Sequence, residues 1–309
     1  MTTPTAPPVV TADRLAKSWG STVVFEDASF TVGSGITGLL GSNGSGKTTL
    51  LGMILGLHRP DGGGLEVFGD DPAHAGPEIR ARVGYSPEHH TMPPDLRAHD
   101  LVTLVARVHG IPRRAATTRA SDALWLVGLG EERYRGIGTM STGQRQRVKL
   151  AQAIAHDPRL VLLDEPTDGL DPVQREEILS LIARIGRELS IDVIVSSHLL
   201  DEVERVCDSV VILGGGKVVA SGPLESVLGD SSGVVVELDS GADAVASGVR
   251  DRGFEVAVEH GRLVLEVNAD DLDRALDAVR DAVAENGAPL RSLQPRRRTL
   301  EQVFLQGAG

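Results

Sequence analysis

A glycine-rich segment with one lysine, GSNGSGKT, is the part of the sequence whose residue types and spacing most directly indicate chemistry. It spans Gly41–Thr48 and matches the pattern G-x-x-x-x-G-K-[ST] between a predicted strand and a predicted helix. Glycines let backbone N–H groups close around phosphate oxygens, the helix N-terminus adds its dipole, and the lysine reaches the terminal phosphates. The segment predicts a nucleotide-phosphate site made of Gly41, Ser42, Asn43, Gly44, Ser45, Gly46, Lys47, Thr48 and Thr49.

An acidic pair follows an apolar run in the segment LVLLDEP, residues 160–166. Asp164 is expected at the end of a strand, where burying a carboxylate is costly unless a cation lies nearby. A Mg²⁺ ion held jointly by Asp164 and the Thr48 hydroxyl would offset that cost. Glu165 comes next and is placed to polarise an attacking water. An acidic pair alone is weak evidence, and the phosphate-binding loop turns it into a catalytic prediction.

Two further residues, His198 and Trp19, have roles that depend on their surroundings. His198 ends the apolar run VIVSSH. A lone histidine is more often structural, but a position at the carboxyl edge of the same predicted sheet favours a hydrogen bond to the γ-phosphate. Trp19 precedes the core, and it either stacks on adenine or fills a corner of the fold. The residue pattern by itself leaves both roles of Trp19 open.

Strands and helices alternate through most of the chain. This alternation predicts an α/β fold with a mostly parallel sheet covered on both faces. Together with the glycine-rich loop, this pattern resembles a P-loop NTPase core, and the resemblance implies an N-terminal antiparallel β subdomain before it. The pattern changes over about residues 90–142, where helical periodicity predicts an inserted helical subdomain. We expect the ATP-binding domain to span residues 9–230, after a disordered lead-in over residues 1–8 that is rich in Pro and Thr.

A second, smaller domain is predicted after the linker-like segment GDSSG at residues 229–233. Beyond it the patterns follow the order strand, helix, strand, strand, helix, strand, which is the ferredoxin-like βαββαβ arrangement. We therefore expect a small α/β accessory domain over residues 232–309, closed by a short helix in TLEQVFL.

The composition limits the possible partners and compartment. A formal net charge of -12 argues against general affinity for nucleic acid, which depends on cationic side chains. The single cysteine, Cys207, excludes an intrachain disulfide and fits a reducing cytosol. The first residues lack the basic start and apolar run of a signal peptide, and no run approaches the roughly eighteen apolar residues needed to cross a bilayer. We expect a cytoplasmic protein that does not span a membrane by itself.

A second polar turn, MSTGQRQR, completes a set of motifs that resembles the ATP-binding subunit of ABC transporters over about residues 8–230. GSNGSGKT, MSTGQRQR, LVLLDEP, DGLDP and His198 stand in the order, and at about the spacing, of that family. The resemblance implies that MSTGQRQR is the signature, which contacts the γ-phosphate of ATP held by the other subunit of a head-to-tail dimer with two shared ATP sites. It assigns the trans contacts to Ser141, Gly143 and Gln144, a dimer-interface loop to Asp171, and adenine stacking to Trp19.

Two residues depart from the family pattern. Thr142 stands in the signature where a glycine is usual, so a side chain has to fit at a close approach. Glu88, in VGYSPEHH, stands where the family usually has a glutamine that links Mg²⁺ to the transmembrane partner. Glu88 is therefore either a further metal ligand, beside Thr48 and Asp164, or a loop carboxylate that faces solvent.

The end of the chain resembles one group of proteins within this family. A small α/β appendage ending in RRRTLEQVFL is similar to the ATPase subunits of bacterial drug, antibiotic and lipid exporters, including the daunorubicin-resistance type. This implies an ATPase, using ATP and Mg²⁺, that powers an exporter through a separately encoded transmembrane permease on the cytoplasmic face of the membrane. A second copy of the chain, or a paralogous ATPase subunit, would complete the dimer.

Two other functions are disfavoured by the sequence. A soluble ABC-type ATPase acting in translation or DNA repair usually carries two cassettes or long insertions and is often basic where it meets nucleic acid, so one cassette and an acidic balance disfavour it. An ATP-binding module without hydrolysis is disfavoured because Lys47, Asp164, Glu165 and His198 are all present.

Overall fold

A computed structural model describes residues 7–89, 91–229, 233–259, 261–267, 271–296 and 299–307. The chain divides into two compact units, unit 1 with residues 1–224 and 307–309, and unit 2 with residues 225–306. The expected disordered lead-in lies outside the described residues except for Pro7 and Pro8, which are exposed. Within the described residues, no helix is both long enough and apolar enough to span a bilayer.

The first part of unit 1 contains the glycine-rich loop. Its elements up to the helical insert are, in chain order, β1 (Val10–Trp19), β2 (Thr22–Val32), β3 (Ile36–Leu40), α1 (Lys47–Ile54), β4 (Gly62–Val67), α2 (Gly76–Arg80) and β5 (Val83–Ser86). Strands β2, β1 and β4 form an antiparallel sheet in that order. This sheet is the N-terminal antiparallel subdomain expected from the sequence.

The helical insert and the rest of the core follow. The elements are α3 (Ala98–Val108), α4 (Arg113–Leu126), short 3-10 helices at Glu131–Tyr134 and Ile137–Thr139, α5 (Thr142–Ile154), β6 (Leu160–Asp164), α6 (Pro172–Glu188), β7 (Asp192–Ser197), α7 (Leu200–Val206), β8 (Ser209–Gly214) and β9 (Lys217–Pro223). Helix α8 (Leu224–Leu228) follows at the boundary between the two units in the sequence. Helices α3, α4 and α5 pack on one another. The insert is therefore a group of packed helices that lies between β5 and β6 in the sequence.

The central sheet sets the position of the candidate site. Its strand order is β5-β6-β7-β3-β8-β9, and every pairing is parallel except that of β8 with β9. Strands β3 and β6 are buried at every position, as expected for a sheet covered on both faces. Leu40 pairs with Ser197, and Asp164 pairs with Ser196. The carboxyl ends of three strands therefore meet at one edge, where parallel α/β sheets bind ligands.

Helix α7 packs closely on strand β3. A Cβ atom on Gly38 would lie 2.4 Å from Val203 Cγ1 and 3.2 Å from Cys207 Sγ, so this position requires glycine. Cys207, the single cysteine of the chain, is consequently buried between the end of α7 and the sheet.

Unit 2 is a separate α/β unit. Its elements are β10 (Gly233–Leu238), α9 (Ala242–Arg250), β11 (Val256–Glu259), β12 (Arg262–Glu266), α10 (Leu272–Asn286), β13 (Leu290–Arg296) and α11 (Leu300–Gly307). The strands form an antiparallel sheet in the order β11-β12-β10-β13, and a core with Val236, Val249 and Val279 lies between sheet and helices. Element order and strand order are consistent with the ferredoxin-like arrangement.

Candidate functional site

The glycine-rich loop connects buried strand β3 to helix α1. Gly44 and Gly46 have φ angles of 84° and 101°, in the left-handed region that favours glycine. A Cβ atom on Gly46 would lie 2.6 Å from Val24 Cγ1 and 2.7 Å from Phe25 Cζ, so the loop is pressed against strand β2. The Ser45 hydroxyl is buried and, within the described part of the chain, has no hydrogen-bond partner. A loop of this shape at a helix N-terminus, with an unsatisfied hydroxyl, fits a phosphate group.

Lys47 is the first residue of α1, and its side chain is only 7% exposed. Its ammonium donates hydrogen bonds to the carbonyl oxygens of Gly41 at 2.7 Å and Ser42 at 3.4 Å. The same Nζ lies 3.1 Å from Glu165 Oε1. The lysine is therefore folded back over the loop, within reach of groups bound there.

Asp164 ends strand β6 and is 2% exposed. Thr48 donates a hydrogen bond from Oγ1 to Asp164 Oδ2 at 2.9 Å, and Ser196 donates from Oγ to Asp164 Oδ1 at 2.7 Å. The backbone N–H of Glu165 in turn donates to Ser196 Oγ at 2.9 Å. The hydroxyl and carboxylate oxygens that adjoin at Thr48 and Asp164 are the ligand types that Mg²⁺ prefers, so the pair fits a magnesium ion.

Glu165 and His198 are in direct contact. His198 Nδ1 lies 2.9 Å from Glu165 Oε2, and because a carboxylate only accepts, the ring donates this hydrogen bond. Glu165 has a φ of 46°, an uncommon left-handed conformation that turns its side chain at the strand end. The remaining ring nitrogen, Nε2, can donate to an anion only when the ring is protonated.

These residues line one cleft of about 400 Å³ at the carboxyl edge of the sheet. The lining residues are Trp19, Val24, Ser42, Asn43, Gly44, Gly46, Lys47, Thr48, Thr49, Glu88, Asp164, Glu165, Asp168 and His198. The structure thus brings together, in one place, most of the residues that the sequence predicts for nucleotide, metal and catalysis.

Trp19 lies at the rim of the cleft with 48% of its surface exposed. The ring meets His58 edge-on, with 5.0 Å between centroids, and Lys17 Nζ lies 4.7 Å from its centroid. Lys17 is in turn held by Asp61 through a hydrogen bond of 2.9 Å. An exposed aromatic ring that is fixed from two sides could stack on a base.

Glu88 lines the same cleft as Thr48 and Asp164, and its side chain is 36% exposed. Its carboxylate Oε1 lies 3.4 Å from His89 Nε2, and its backbone carbonyl accepts a hydrogen bond of 2.8 Å from Lys149 on helix α5. The loop of Glu88 is therefore tied to helix α5, which begins within the signature.

The carboxylate of Glu88 also affects the pKa of the Tyr85 phenol. Burial, together with smaller contributions from the carboxylates of Asp164 and Glu88, raises the pKa of Tyr85 to about 12. Tyr85 therefore stays neutral at physiological pH and keeps its hydroxyl proton.

The signature residues form a separate group. Ser141 caps helix α5: its Oγ accepts from the Gln144 N–H at 3.2 Å, and Gln144 Oε1 accepts from the Ser141 N–H at 3.1 Å. A Cβ atom on Gly143 would lie 3.0 Å from Gln174 Oε1 on helix α6. Asp171 caps α6 by accepting from the Gln174 N–H at 2.9 Å. Of the residues that line the cleft, none belongs to this group.

Thr142, the departure from the family pattern in the signature, has an exposed side chain. Its Oγ1 accepts a hydrogen bond of 3.3 Å from Arg145. The extra side chain is therefore accommodated within one chain by facing solvent beside Arg145.

One participant in the site, Ser196, does not follow from the motifs. It lies in β7, a buried strand, and it bridges the Asp164 carboxylate to the backbone N–H of Glu165. The signal available in the sequence was the pair of serines that ends the apolar run VIVSSH, because hydroxyls in a buried strand need partners.

The chain is similar in sequence to ATP-binding proteins over most of its length. The family model for "ABC transporter" matches residues 25–168. The linearmycin resistance ATP-binding protein LnrL of Bacillus subtilis is 30% identical over 304 residues, covering 96% of this chain and 97% of that protein. The daunorubicin resistance ATP-binding protein DrrA3 of Streptomyces coeruleorubidus is 30% identical over 304 residues, covering 97% and 96%.

An import protein and a solved structure match over a smaller share of the chain. The molybdenum import ATP-binding protein ModC of Paramagnetospirillum magneticum is 36% identical over 214 residues, 66% of this chain and 57% of that protein. The structure of cbiO1 of Clostridium perfringens, part of the ABC transporter complex cbiONQ, matches with a TM-score of 0.65 at 26% identity, over 71% of this chain and 90% of that one. The chain therefore belongs to the ABC transporter family as an ATP-binding subunit, an ATPase of the kind that is coupled to transport through a membrane partner.

Proposed function

We propose that this chain powers an ABC exporter and works as a head-to-tail dimer with two shared ATP sites. One observation carries the dimer: Ser141, Gly143, Gln144 and Asp171 lie together at the starts of two helices, apart from the cleft of their own chain. The start of a helix attracts phosphate through its free N–H groups and its dipole. A second copy, or a paralogous subunit, facing the opposite way would supply such a helix start to each cleft.

The proposed site divides the chemistry among its residues. Lys47 and the loop N–H groups bind the phosphates of ATP, and Thr48 and Asp164 hold Mg²⁺, which neutralises phosphate charge. The Glu165 carboxylate accepts a hydrogen bond from the attacking water and orients it toward the γ-phosphate. His198 fixes Glu165 through Nδ1, and a protonated ring donates from Nε2 to a γ-phosphate oxygen.

Similarity along the whole chain supports the direction of transport. The two resistance proteins align over nearly all of this chain, including unit 2, whereas the import protein aligns over two thirds of it. The names of both resistance proteins describe protection of a cell from a toxic compound, which export provides. Unit 2 is in this proposal an accessory domain that makes no contact with the nucleotide.

The proposed location is the cytoplasmic face of the cell membrane, where a separately encoded permease holds the chain. ATP is supplied on that side, and a formal net charge of -12 disfavours nucleic acid as a partner. Co-purification with a transmembrane protein from cells that express the chain is the direct check of this part.

Mixed dimers test the shared sites. Lys47→Ala disables the phosphate loop, and Ser141→Arg disables the signature. With head-to-tail pairing, a chain that carries both substitutions spoils both sites opposite a wild-type chain. The same substitutions split between two chains leave one site intact.

The test compares ATP turnover of the two mixtures, prepared with different affinity tags and isolated by tandem purification. We expect activity in the split mixture and a background rate in the other. Equal activities, or the reverse order, would exclude the trans arrangement. Lys217→Ala, at an exposed position on β9, is the matched control. A dimer that carries only this substitution should hydrolyse ATP at the wild-type rate.

A further inference from the structure

Glu202 is a buried carboxylate outside all of the motifs described above. It lies in the first turn of helix α7 and is 3% exposed. A carboxylate taken out of water is costly unless donors and an opposite charge surround it. Its contacts therefore indicate what holds it there.

Two hydroxyls and a guanidinium meet this carboxylate. Glu202 Oε2 accepts hydrogen bonds from Thr167 Oγ1 at 2.8 Å and from Ser197 Oγ at 2.9 Å. Glu202 Oε1 lies 3.3 Å from Arg175 Nε in an ion pair that lacks hydrogen-bond geometry. Thr167 and Ser197 are themselves 2% and 1% exposed, so the cluster is closed to water apart from the arginine.

The two hydroxyls belong to the two segments that carry the proposed catalytic side chains. Thr167 lies in the loop that runs from Glu165 to Asp171, and Ser197 immediately precedes His198. One carboxylate oxygen thus joins the loop after β6 to the end of β7. The tips of the same two segments meet again at the hydrogen bond of 2.9 Å between Glu165 and His198.

We propose that Glu202 is a positioning residue for ATP hydrolysis. It locks the loop that carries Glu165 and ends at Asp171 against the segment that carries His198, and it acts through the hydroxyls without touching the nucleotide. The inference rests on the roles proposed above for Glu165 and His198.

A positioning residue of this kind is expected to affect ATP turnover without affecting ATP binding. The glycine-rich loop and α1 are the proposed phosphate-binding elements. In the part of the chain that the structure describes, no hydrogen bond joins a side chain of the Glu202 cluster to them. Loosening the cluster lets the water-orienting carboxylate drift, and small misplacements of a reacting group lower kcat while ground-state binding is kept. A purely structural role would instead appear as a lower melting temperature with unchanged kcat.

A matched pair of substitutions at Thr167 provides the test on the full chain. Thr167→Val keeps the side-chain shape and removes the hydroxyl, and Thr167→Ser keeps the hydroxyl and removes the methyl group. We expect kcat to fall about tenfold in the valine variant and to stay within about twofold in the serine variant, with the Kd for ATP within about threefold in both. Glu202→Gln retains one carbonyl acceptor, so its kcat should lie between that of Thr167→Val and that of wild type.

The controls separate this inference from the proposed function. Asp201→Ala, at the exposed acid next to Glu202 on the same helix, should keep wild-type kcat. Three results would each overturn the positioning role. They are a wild-type kcat in Thr167→Val, equal losses of kcat in the valine and serine variants, and a Kd for ATP that rises in proportion to the loss of kcat. A wild-type chain that fails to hydrolyse ATP, or a Glu165→Gln chain with normal turnover, would contradict the proposed function instead.

Discussion

The ammonium of Lys47 lies 3.1 Å from the carboxylate of Glu165, and both side chains are at least nine-tenths buried. The residue proposed to bind phosphate is thus paired with the residue proposed to orient water. A nucleotide phosphate that reaches this lysine competes with Glu165 for the same cation. Binding of ATP would therefore release the carboxylate for its role in hydrolysis.

The first prediction concerns Glu165→Gln. The amide keeps the size of the side chain but loses the charge that competes for Lys47 and that orients water. We expect the Kd for ATP to stay the same or to fall up to about tenfold, while turnover drops at least about a hundredfold and an ATP-bound dimer accumulates. Equilibrium dialysis, phosphate release and size-exclusion chromatography measure the three effects.

Glu66→Gln, at an exposed position on β4, is the control and should behave like wild type in all three measurements. A Glu165→Gln protein that hydrolyses ATP at the wild-type rate would remove Glu165 from the mechanism.

The second prediction concerns Glu88→Gln and the dependence of ATP affinity on Mg²⁺. Attraction to the metal and repulsion from the γ-phosphate each amount to about 4 kcal/mol per charge pair at 4 Å and an effective dielectric of 20. The charge of Glu88 should therefore help binding when Mg²⁺ is present and oppose it when Mg²⁺ is absent. We expect the glutamine variant to show a smaller change of Kd between low and high Mg²⁺.

Titrations of ATP at several Mg²⁺ concentrations measure this coupling. His89→Ala tests separately the contact of 3.4 Å between His89 and Glu88, and it should leave the Mg²⁺ dependence unchanged. Superimposable curves for wild type and Glu88→Gln would place Glu88 outside the metal's shell and leave it as a loop carboxylate.

The third prediction is a pH dependence of stability that arises at His156. Burial, and to a smaller extent the neighbouring His109, lowers the pKa of this histidine from 6.5 to about 4. The two rings stack at 3.7 Å, His156 Nε2 donates to the Val83 carbonyl at 3.2 Å, and Nδ1 is buried without a hydrogen-bond partner among the described residues. A second proton on the ring would therefore be a buried charge without a hydrogen-bond acceptor at Nδ1 among the described residues.

The sign follows from proton counts. Between pH 6.5 and about 4 the unfolded state binds one more proton at this position, so the free energy of unfolding falls as the pH falls. A difference of one proton corresponds to a slope of at most about 1.4 kcal/mol per pH unit. Denaturant unfolding of His156→Phe should show a shallower slope in this window than wild type, whatever its stability at pH 7. Equal slopes would mean that His156 is not the group that titrates.

The fourth prediction concerns unit 2. If it makes no contact with the nucleotide, a chain that ends at residue 231 should fold and bind ATP within a few-fold of the full chain. Isothermal titration calorimetry with circular dichroism as a folding check measures this. Collapse of ATP affinity in a truncated chain that is still folded would show that the boundary or the role is wrong.

The sequence predicts that these residues lie at one edge of the sheet because motif order and sheet geometry reinforce each other. Glycine-rich loop, acidic pair and histidine each follow an apolar strand, and neighbouring parallel strands bring their carboxyl ends to one edge. The contacts of Lys47 with Glu165 and of Glu165 with His198 follow from that placement, although the conformation of each side chain does not.

Strand β1 and Glu202 show where prediction from the sequence ends. In β1 the alternation of apolar residues is broken by Asp13 and Arg14 and by shifts of register against both neighbouring strands, so no period of two is visible. The segment LLDEVERV contains three acids, and only tertiary packing decides that Glu202 is buried while Asp201 is exposed.

The burial of Cys207 makes the native chain convenient for thiol labelling. Because burial raises the pKa of the only thiol, the reactive thiolate is scarce in the folded protein. A cysteine introduced on the surface can then carry a fluorophore or spin label alone, without prior replacement of the native residue. The same burial makes Cys207 a reporter of unfolding. Cys207 would react with a thiol reagent only when helix α7 leaves the sheet.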